Sequence, residues 1–149
     1  MKVVHKISEV REILNKWKRE GLSVGLVPTM GYLHEGHQSL IKKAVEQNDR
    51  VVVSVFVNPM QFGENEDLAS YPRDLEKDTK LCEETGADLI FNPTPEEMYP
   101  EGFCSYVDMN GLTKELCGKS RPIHFRGVMT VVSKLFNIVT PNKAYPGCI

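Results

Sequence analysis

The chain has 149 residues, 41% of them hydrophobic, and a formal net charge of −2 at pH 7. This length limits the chain to at most one ordinary domain. Its apolar content is enough to build a core, so neither disulfides nor a structural metal are needed for folding. The near-neutral charge excludes broad electrostatic binding of nucleic acid or of an anionic membrane, which requires a concentrated basic face.

The first third of the chain has the pattern of alternating strands and helices. After a short first strand, apolar residues recur at helical spacing over residues 8–20, and Gly21 supplies a helix stop. Residues 23–29 and 50–57 are nearly continuous apolar runs, as buried parallel strands require, and residues 36–47 between them have a helical apolar face. These segments predict a β-α-β unit with a right-handed crossover.

The alternation continues towards the C-terminus. A helix over residues 72–85 ends at Gly86 and leads into a short strand at 88–91. Prolines and glycines then punctuate an irregular stretch with one possible strand near 105–109, and a second apolar stripe predicts a helix over 125–139. The predicted fold class is α/β, with a doubly wound parallel sheet.

A two-histidine motif, H-x-G-H, lies between the first buried strand and the helix that follows it. Pro28 and Gly31 set a turn, and His34 and His37 open the helix. Free backbone N–H groups and the helix dipole would favour phosphate there, Gly36 would allow close approach of a ligand, and both histidines can donate hydrogen bonds. This context predicts a nucleotide triphosphate site, although the tetrapeptide alone is also compatible with a polar turn.

Several other sites are excluded by spacing. The chain has no Walker A lysine and no G-x-G-x-x-G, and its histidines are three positions apart where the zinc motif H-E-x-x-H requires four. The four cysteines, at positions 82, 104, 117 and 148, form no C-x-x-C pair, which predicts reduced structural thiols and no metal site. Because no apolar run reaches the roughly 20 residues of a membrane span and no signal peptide is visible, we expect a cytoplasmic protein.

A second polar loop, residues 56–63, follows the next strand of the same β-α-β unit. Ligands bind beyond the carboxyl ends of parallel strands, so this loop should face the histidine motif. Asn58 and Gln61 can orient a carboxylate or a hydroxyl, and Met30, Met60 and Phe62 would supply an apolar wall. The alternatives are that Asn58 is a turn residue holding Pro59 and that the apolar residues belong to the core.

A basic cluster lies between the irregular stretch and the last helix. It comprises Lys119, Arg121, His124 and Arg126. These side chains are candidates for a loop that closes over phosphates, and a solvated basic loop is the equally weighted alternative.

Five separated blocks of this sequence together resemble the pantoate-β-alanine ligase family. They are Pro28-Thr29-Met30-Gly31 through His37, residues 56–62 (FVNPMQF), Tyr71-Pro72-Arg73, Arg121-Pro122 with His124-Phe125, and residues 134–139 (KLFNIV). The histidine motif alone indicates only the wider nucleotidylyltransferase superfamily, and the Asn-Pro-Met-Gln block is much more specific. The resemblance implies a Rossmann-like sheet of the nucleotidylyltransferase type.

The resemblance also implies an activity, its ligands and a homodimer. Pantoate would attack the α-phosphorus of ATP to form pantoyl adenylate, with Mg²⁺ on the phosphates, and β-alanine would then displace AMP. His37 would be the proton donor, helped by His34, and Gln61 would bind pantoate and β-alanine, with Asn58 and Met30 beside it. The implied ATP-binding residues are Met30, Gly31, Tyr32, Leu33, His34, Glu35, Gly36, His37 and Gly147.

One departure from the family pattern concerns the end of the chain. The family continues after residues 143–145 with Phe-Gly-x-Lys-Asp-x-Gln-Gln, whereas this sequence reads Pro146-Gly147-Cys148-Ile149. We therefore expect residues 1–149 to form an incomplete N-terminal nucleotide- and pantoate-binding domain without the family's C-terminal lid domain, and to catalyse poorly or not at all. Two alternatives stay open: a nucleotidylyltransferase acting on a phosphorylated acceptor, and a noncatalytic nucleotide-binding or dimerising module.

Overall fold

The computed structural model describes residues 1–62, 68–102 and 122–147, apart from the side chains of Gln61 and of residues 122–125. The strands are β1 (Lys2–Val4), β2 (Val24–Thr29), β3 (Arg50–Val55), β4 (Leu89–Phe91) and β5 (Lys143–Ala144). The helices are α1 (Ile7–Arg19), α2 (Glu35–Gln47), α3 (Leu75–Thr85), α4 (Pro95–Met98) and α5 (Pro122–Val139), with a 3₁₀ helix at Pro59–Gln61.

The five strands form one parallel sheet in the order β1-β4-β3-β2-β5. The α/β class and the parallel sheet predicted from the sequence are therefore confirmed. The β2 and β3 strands pair in register from Val24 opposite Arg50 to Thr29 opposite Val55. Both strands consequently end at the same edge of the sheet, which brings the two polar loops together.

Side chains of β3 alternate between two apolar layers. Val52 joins a core cluster with α1 and α5 on one face, and Val51 and Val53 join a second cluster with α2 and α3 on the other. All three valines are at most 1% exposed. Burial of each contributes about 1.5–3 kcal/mol, so the sheet is a rigid support for the loops at its edge.

Several element boundaries differ from the sequence prediction. The strand predicted over 50–57 ends at Val55, and α5 begins at Pro122, three residues early, because proline suits the first turn of a helix. Helix α3 begins at Leu75 because the Asp74 side chain accepts the N–H of Lys77 and caps the helix there. The possible strand at 105–109 lies outside the described residues.

Two short helical elements were not predicted, and each begins with proline after a polar cap. Asn58 accepts the N–H of Met60 at the start of the 3₁₀ helix. Thr94 accepts the N–H of Glu97 at the start of α4. Both caps shape the region beyond the carboxyl ends of β3 and β4.

Candidate functional site

A cleft of about 560 Å³ lies at the carboxyl edge of the sheet, between the loop after β2 and the start of α2. Its lining residues are Met30, Gly31, Tyr32, His34, Gly36, His37, Leu40, Tyr71, Pro72 and Gly147. The structure thus brings together most of the residues expected to contact ATP, including Gly147 from the far end of the chain. Of the other two, Leu33 is buried and Glu35 is exposed.

His34 and His37 cap the first turn of α2 reciprocally. His34 Nδ1 accepts the backbone N–H of Gly36 at 2.9 Å, and His37 Nδ1 accepts the backbone N–H of His34 at 3.2 Å. The two ring centroids are 4.1 Å apart. A side chain at Gly36 would place its Cβ 2.7 Å from His34 Cε1, so glycine is required there to seat the ring. The motif is therefore first a helix cap built from imidazoles.

These hydrogen bonds determine the tautomer of each ring. An imidazole nitrogen that accepts an N–H carries no proton, so the neutral rings of His34 and His37 carry their proton on Nε2. Burial, and then the neighbouring His34, lower the pKa of His37, while Asp78 opposes the shift. At neutral pH His37 is consequently a neutral ring whose donor is Nε2–H.

Most backbone N–H groups of the motif are occupied by the protein itself. Gly31 donates to Thr29 Oγ1 at 3.1 Å, Tyr32 and Leu33 donate to Asp78, and His34 and Gly36 donate to the two rings. The expectation that free backbone N–H groups would bind phosphate is wrong for these five positions. Side-chain acceptors have satisfied them, so the imidazole Nε2–H groups are the donors suited to an anion.

Asp78, on α3, was not identified from the sequence. Its carboxylate is 1% exposed and accepts the N–H of Tyr32 at 2.8 Å and that of Leu33 at 2.7 Å. The available signal was a charged residue on the apolar side of a helix, in line with Leu75 and Cys82.

The turn whose backbone N–H groups donate to Asp78 is left-handed. Gly31 has φ +85° and Tyr32 has φ +53°. A Cβ at position 31 would lie 3.0 Å from Val55 Cγ1 and 3.2 Å from Asp78 Oδ2, so glycine is favoured by both conformation and space. The left-handed Tyr32 is a disfavoured conformation that its neighbours must hold in place.

The second polar loop is anchored by Asn58. Its side chain is 1% exposed; Oδ1 accepts the N–H of Met60 at 3.2 Å and the hydroxyl of Tyr99 at 2.7 Å, and Nδ2 donates to the carbonyl of Gly127 at 3.0 Å. Burial raises the pKa of Tyr99, which keeps the hydroxyl protonated as a donor. These contacts tie the 3₁₀ helix to α4 and α5, and they support the turn-residue alternative for Asn58.

Gln61 ends the 3₁₀ helix that Asn58 caps. Its backbone therefore lies in the same rigid turn as Met60, at the carboxyl edge of the sheet, while its side chain lies outside the described residues. Met30 lines both the histidine cleft and an adjoining cavity of about 220 Å³ that also contains Phe56 and Arg73. The Arg73 guanidinium donates to the carbonyls of Leu68, Ala69 and Tyr71, which fixes the turn at the mouth of the cleft.

The basic cluster is only partly described. Arg121 and Lys119 lie outside the described residues, as does the side chain of His124, and Arg126 is an exposed residue of α5. The role in closing over phosphates stays a prediction.

Two other observations concern the described residues. Burial raises the pKa of the Cys82 thiol to about 12, in agreement with a structural cysteine; the other three cysteines lie outside the description. Within the described part of the chain no helix is long and apolar enough to cross a membrane, and no group of three or more His, Cys, Asp or Glu could hold a metal ion.

Comparison with known proteins identifies relatives over almost all of the chain. The family model "Pantoate-beta-alanine ligase" matches residues 2–148. The pantothenate synthetase of Ruminiclostridium cellulolyticum is 70% identical over 99% of this chain and 52% of that protein. The pantothenate synthetase of Clostridium botulinum is 61% identical over the same shares. The chain therefore spans about half the length of the curated relatives it matches.

Solved structures show the same relation. The pantothenate synthetase of Thermus thermophilus superimposes with a TM-score of 0.90 and 52% identity, over 97% of this chain and 51% of that one. The pantoate-beta-alanine ligase of Francisella tularensis, complexed with beta-gamma ATP and beta-alanine, gives a TM-score of 0.90 and 41% identity over 97% of this chain and 55% of that one.

Proposed function

Because the chain belongs to the pantoate-β-alanine ligase family, we propose that it binds ATP and pantoate at the carboxyl edge of its sheet, for the ATP-dependent condensation of pantoate with β-alanine. The observation that carries this proposal is the pair of helix-capping imidazoles, His34 and His37, lining a cleft. This cleft shares Met30 with the adjoining cavity that Phe56 and Val57 line, at the start of the loop that carries Gln61. A relative of the same fold is complexed with beta-gamma ATP and beta-alanine.

The first chemical step needs positioning more than covalent catalysis. A carboxylate oxygen of pantoate forms a bond to the α-phosphorus while the bond from that phosphorus to the bridging oxygen breaks, and pyrophosphate leaves. Negative charge grows on the departing oxygens. The Nε2–H groups of His34 and His37 are suited to donate hydrogen bonds to those oxygens, and the neutral state of His37 makes this a donor role that requires no full proton transfer.

The second step releases AMP. The unprotonated amine of β-alanine forms a bond to the acyl carbon of pantoyl adenylate, the bond from that carbon to the phosphate oxygen breaks, AMP leaves with the electron pair, and the amine nitrogen loses a proton to water. Gln61 is the residue proposed to orient both pantoate and β-alanine, by its resemblance to the family motif. Asn58 is proposed to act indirectly, because its buried amide holds in place the 3₁₀ helix that carries Gln61.

Mg²⁺ is proposed to enter with ATP and to be bound mainly by the phosphates. Mg²⁺ keeps several waters and needs only one or two protein ligands in such sites, so it requires no preformed protein cage. When bound, the ion neutralises charge on the triphosphate.

A homodimer and a cytoplasmic location are further parts of the proposal, and both rest on the family resemblance. The proposed partners are small molecules only. A nucleotidylyltransferase acting on a phosphorylated acceptor is less well supported, because it would require a cation where the second polar loop offers the neutral residue Gln61.

Binding of pantoate to this chain tests the proposal. Ligand-observed NMR, with and without Mg-ATP, should detect pantoate, and Gln61→Ala should weaken binding about tenfold or more, since a hydrogen bond to a carboxylate contributes about 1.5–3 kcal/mol. Gln47→Ala is the matched control, because Gln47 accepts the Tyr145 hydroxyl at the far end of α2 and does not line the cleft. A folded chain that binds ATP but gives no pantoate signal would contradict the ligase assignment.

A further inference from the structure

Asp78 is a buried carboxylate to which the proposed reaction assigns no role. It lies on α3, outside the motif, and both of its oxygens accept backbone N–H groups of the turn that precedes His34. We propose that Asp78 is a positioning residue, which holds residues 31–33 so that the two imidazoles can meet the triphosphate of a nucleotide. This inference rests on the proposed function of the same cleft.

The geometry requires an acceptor with two equivalent oxygens. Oδ2 accepts from Tyr32 and Oδ1 from Leu33, at 2.8 and 2.7 Å. Both donors point into the protein, and the turn between them is left-handed at Gly31 and Tyr32. An amide at position 78 offers one oxygen and would present an N–H group to one of the two donors. A carboxylate is therefore the side chain that satisfies the pair.

The same contacts explain how a negative charge is tolerated beside an anion site. The two backbone N–H groups of the turn stabilise the carboxylate by hydrogen bonding. The charge of Asp78 also raises the pKa of His37, against the lowering effects of burial and of His34. Asp78 thus acts on the imidazoles through the turn and through its field. It does not line the histidine cleft itself.

A purely structural role in α3 is the competing explanation, and Asp74 supplies the control. Asp74 lies four residues earlier, at the N-cap of the same helix, where its side chain accepts the N–H of Lys77 at 3.1 Å. Asp74→Ala should weaken α3 without removing an acceptor from Tyr32 or Leu33. Asp78→Asn removes the second acceptor with almost no change in shape, and Asp78→Glu retains both oxygens.

The experiment measures amide hydrogen exchange in the ligand-free chain and the Kd of Mg-ATP by calorimetry, for the full 149-residue chain and these three variants. Asp78→Asn should speed amide hydrogen exchange at Tyr32 and Leu33 about tenfold or more, and it should raise the Kd of Mg-ATP about fivefold or more. Asp78→Glu should restore part of both effects. Asp74→Ala should lower the Tm while leaving the Mg-ATP Kd and the two exchange rates within about twofold.

Distinct results separate the two hypotheses. A folded Asp78→Asn chain with wild-type Mg-ATP affinity would overturn the positioning role, as would an Asp74→Ala chain that loses affinity to the same extent. If the wild-type chain does not bind Mg-ATP, the proposed function fails. The exchange rates at Tyr32 and Leu33 then still decide whether Asp78 holds the turn, and rates unchanged by Asp78→Asn would overturn that too.

Discussion

His37→Ala is expected to lower the affinity of the chain for Mg-ATP by about ten- to a hundredfold. The change removes the Nε2–H donor from the cleft, and a hydrogen bond to a charged phosphate contributes about 1.5–3 kcal/mol. It also removes the acceptor for the backbone N–H of His34, which should cost about 1 kcal/mol of stability. Calorimetric titration with Mg-ATP and thermal unfolding measure the two effects separately.

A second substitution at the same position separates the two roles of the His37 side chain, as a hydrogen-bond donor to phosphate and as a cap of α2. Glutamate at the third position of a helix can accept the same backbone N–H, so His37→Glu should keep the stability of the cap while its charge repels phosphate and abolishes binding. His5→Ala is the matched control, because His5 contacts the carbonyl of Asn92 and does not line the cleft. Wild-type Mg-ATP affinity in a folded His37→Glu chain would refute the donor role.

Asn58→Ala is expected to destabilise the chain by about 3 kcal/mol. The change removes three hydrogen bonds, those with the N–H of Met60, the hydroxyl of Tyr99 and the carbonyl of Gly127, and each contributes about 0.5–1.5 kcal/mol. For a chain of this size the Tm should fall by about 10 °C. Pantoate binding should weaken as well, because the turn that carries Gln61 loses its cap.

The control for this substitution is Asn15→Ala. Asn15 is an exposed residue in the middle of α1, where alanine is a better helix former, so the Tm should stay the same or rise slightly. An Asn58→Ala chain with an unchanged Tm would show that the amide contributes little to folding. Unchanged pantoate binding despite a lower Tm would show that Asn58 does not position the second polar loop.

The features predicted correctly from the sequence were those encoded by local pattern. The apolar runs of β2 and β3 identified buried parallel strands, and from them followed the edge at which the two loops meet. The H-x-G-H motif was placed correctly at the start of α2, since its strand-turn-helix context is contiguous in sequence. Once β2 and β3 were predicted to pair in parallel, the position of both polar loops at one edge of the sheet could be predicted as well.

The features that were missed depend on contacts between distant residues. Asp78 is 45 residues away from Leu33 in sequence, and a helical carboxylate is ordinarily assigned to the solvent face. The loss of free N–H groups at Tyr32 and Leu33 followed from the contact with Asp78, and the loss at His34 and Gly36 followed from the orientation of the two rings; spacing reveals neither. The sequence left two roles open for Asn58, as a ligand-binding residue or as a turn residue, and its contacts with Tyr99 and Gly127 support the second.

The most direct test of the proposed function is a crystal structure of this chain with pantoate and a non-hydrolysable ATP analogue. The decisive measurement is the distance from a pantoate carboxylate oxygen to the α-phosphorus, which should be about 3–3.5 Å, with His34 and His37 Nε2 contacting phosphate oxygens. A nucleotide bound away from the imidazoles, or a pantoate carboxylate that cannot reach the α-phosphorus, would contradict the proposed chemistry.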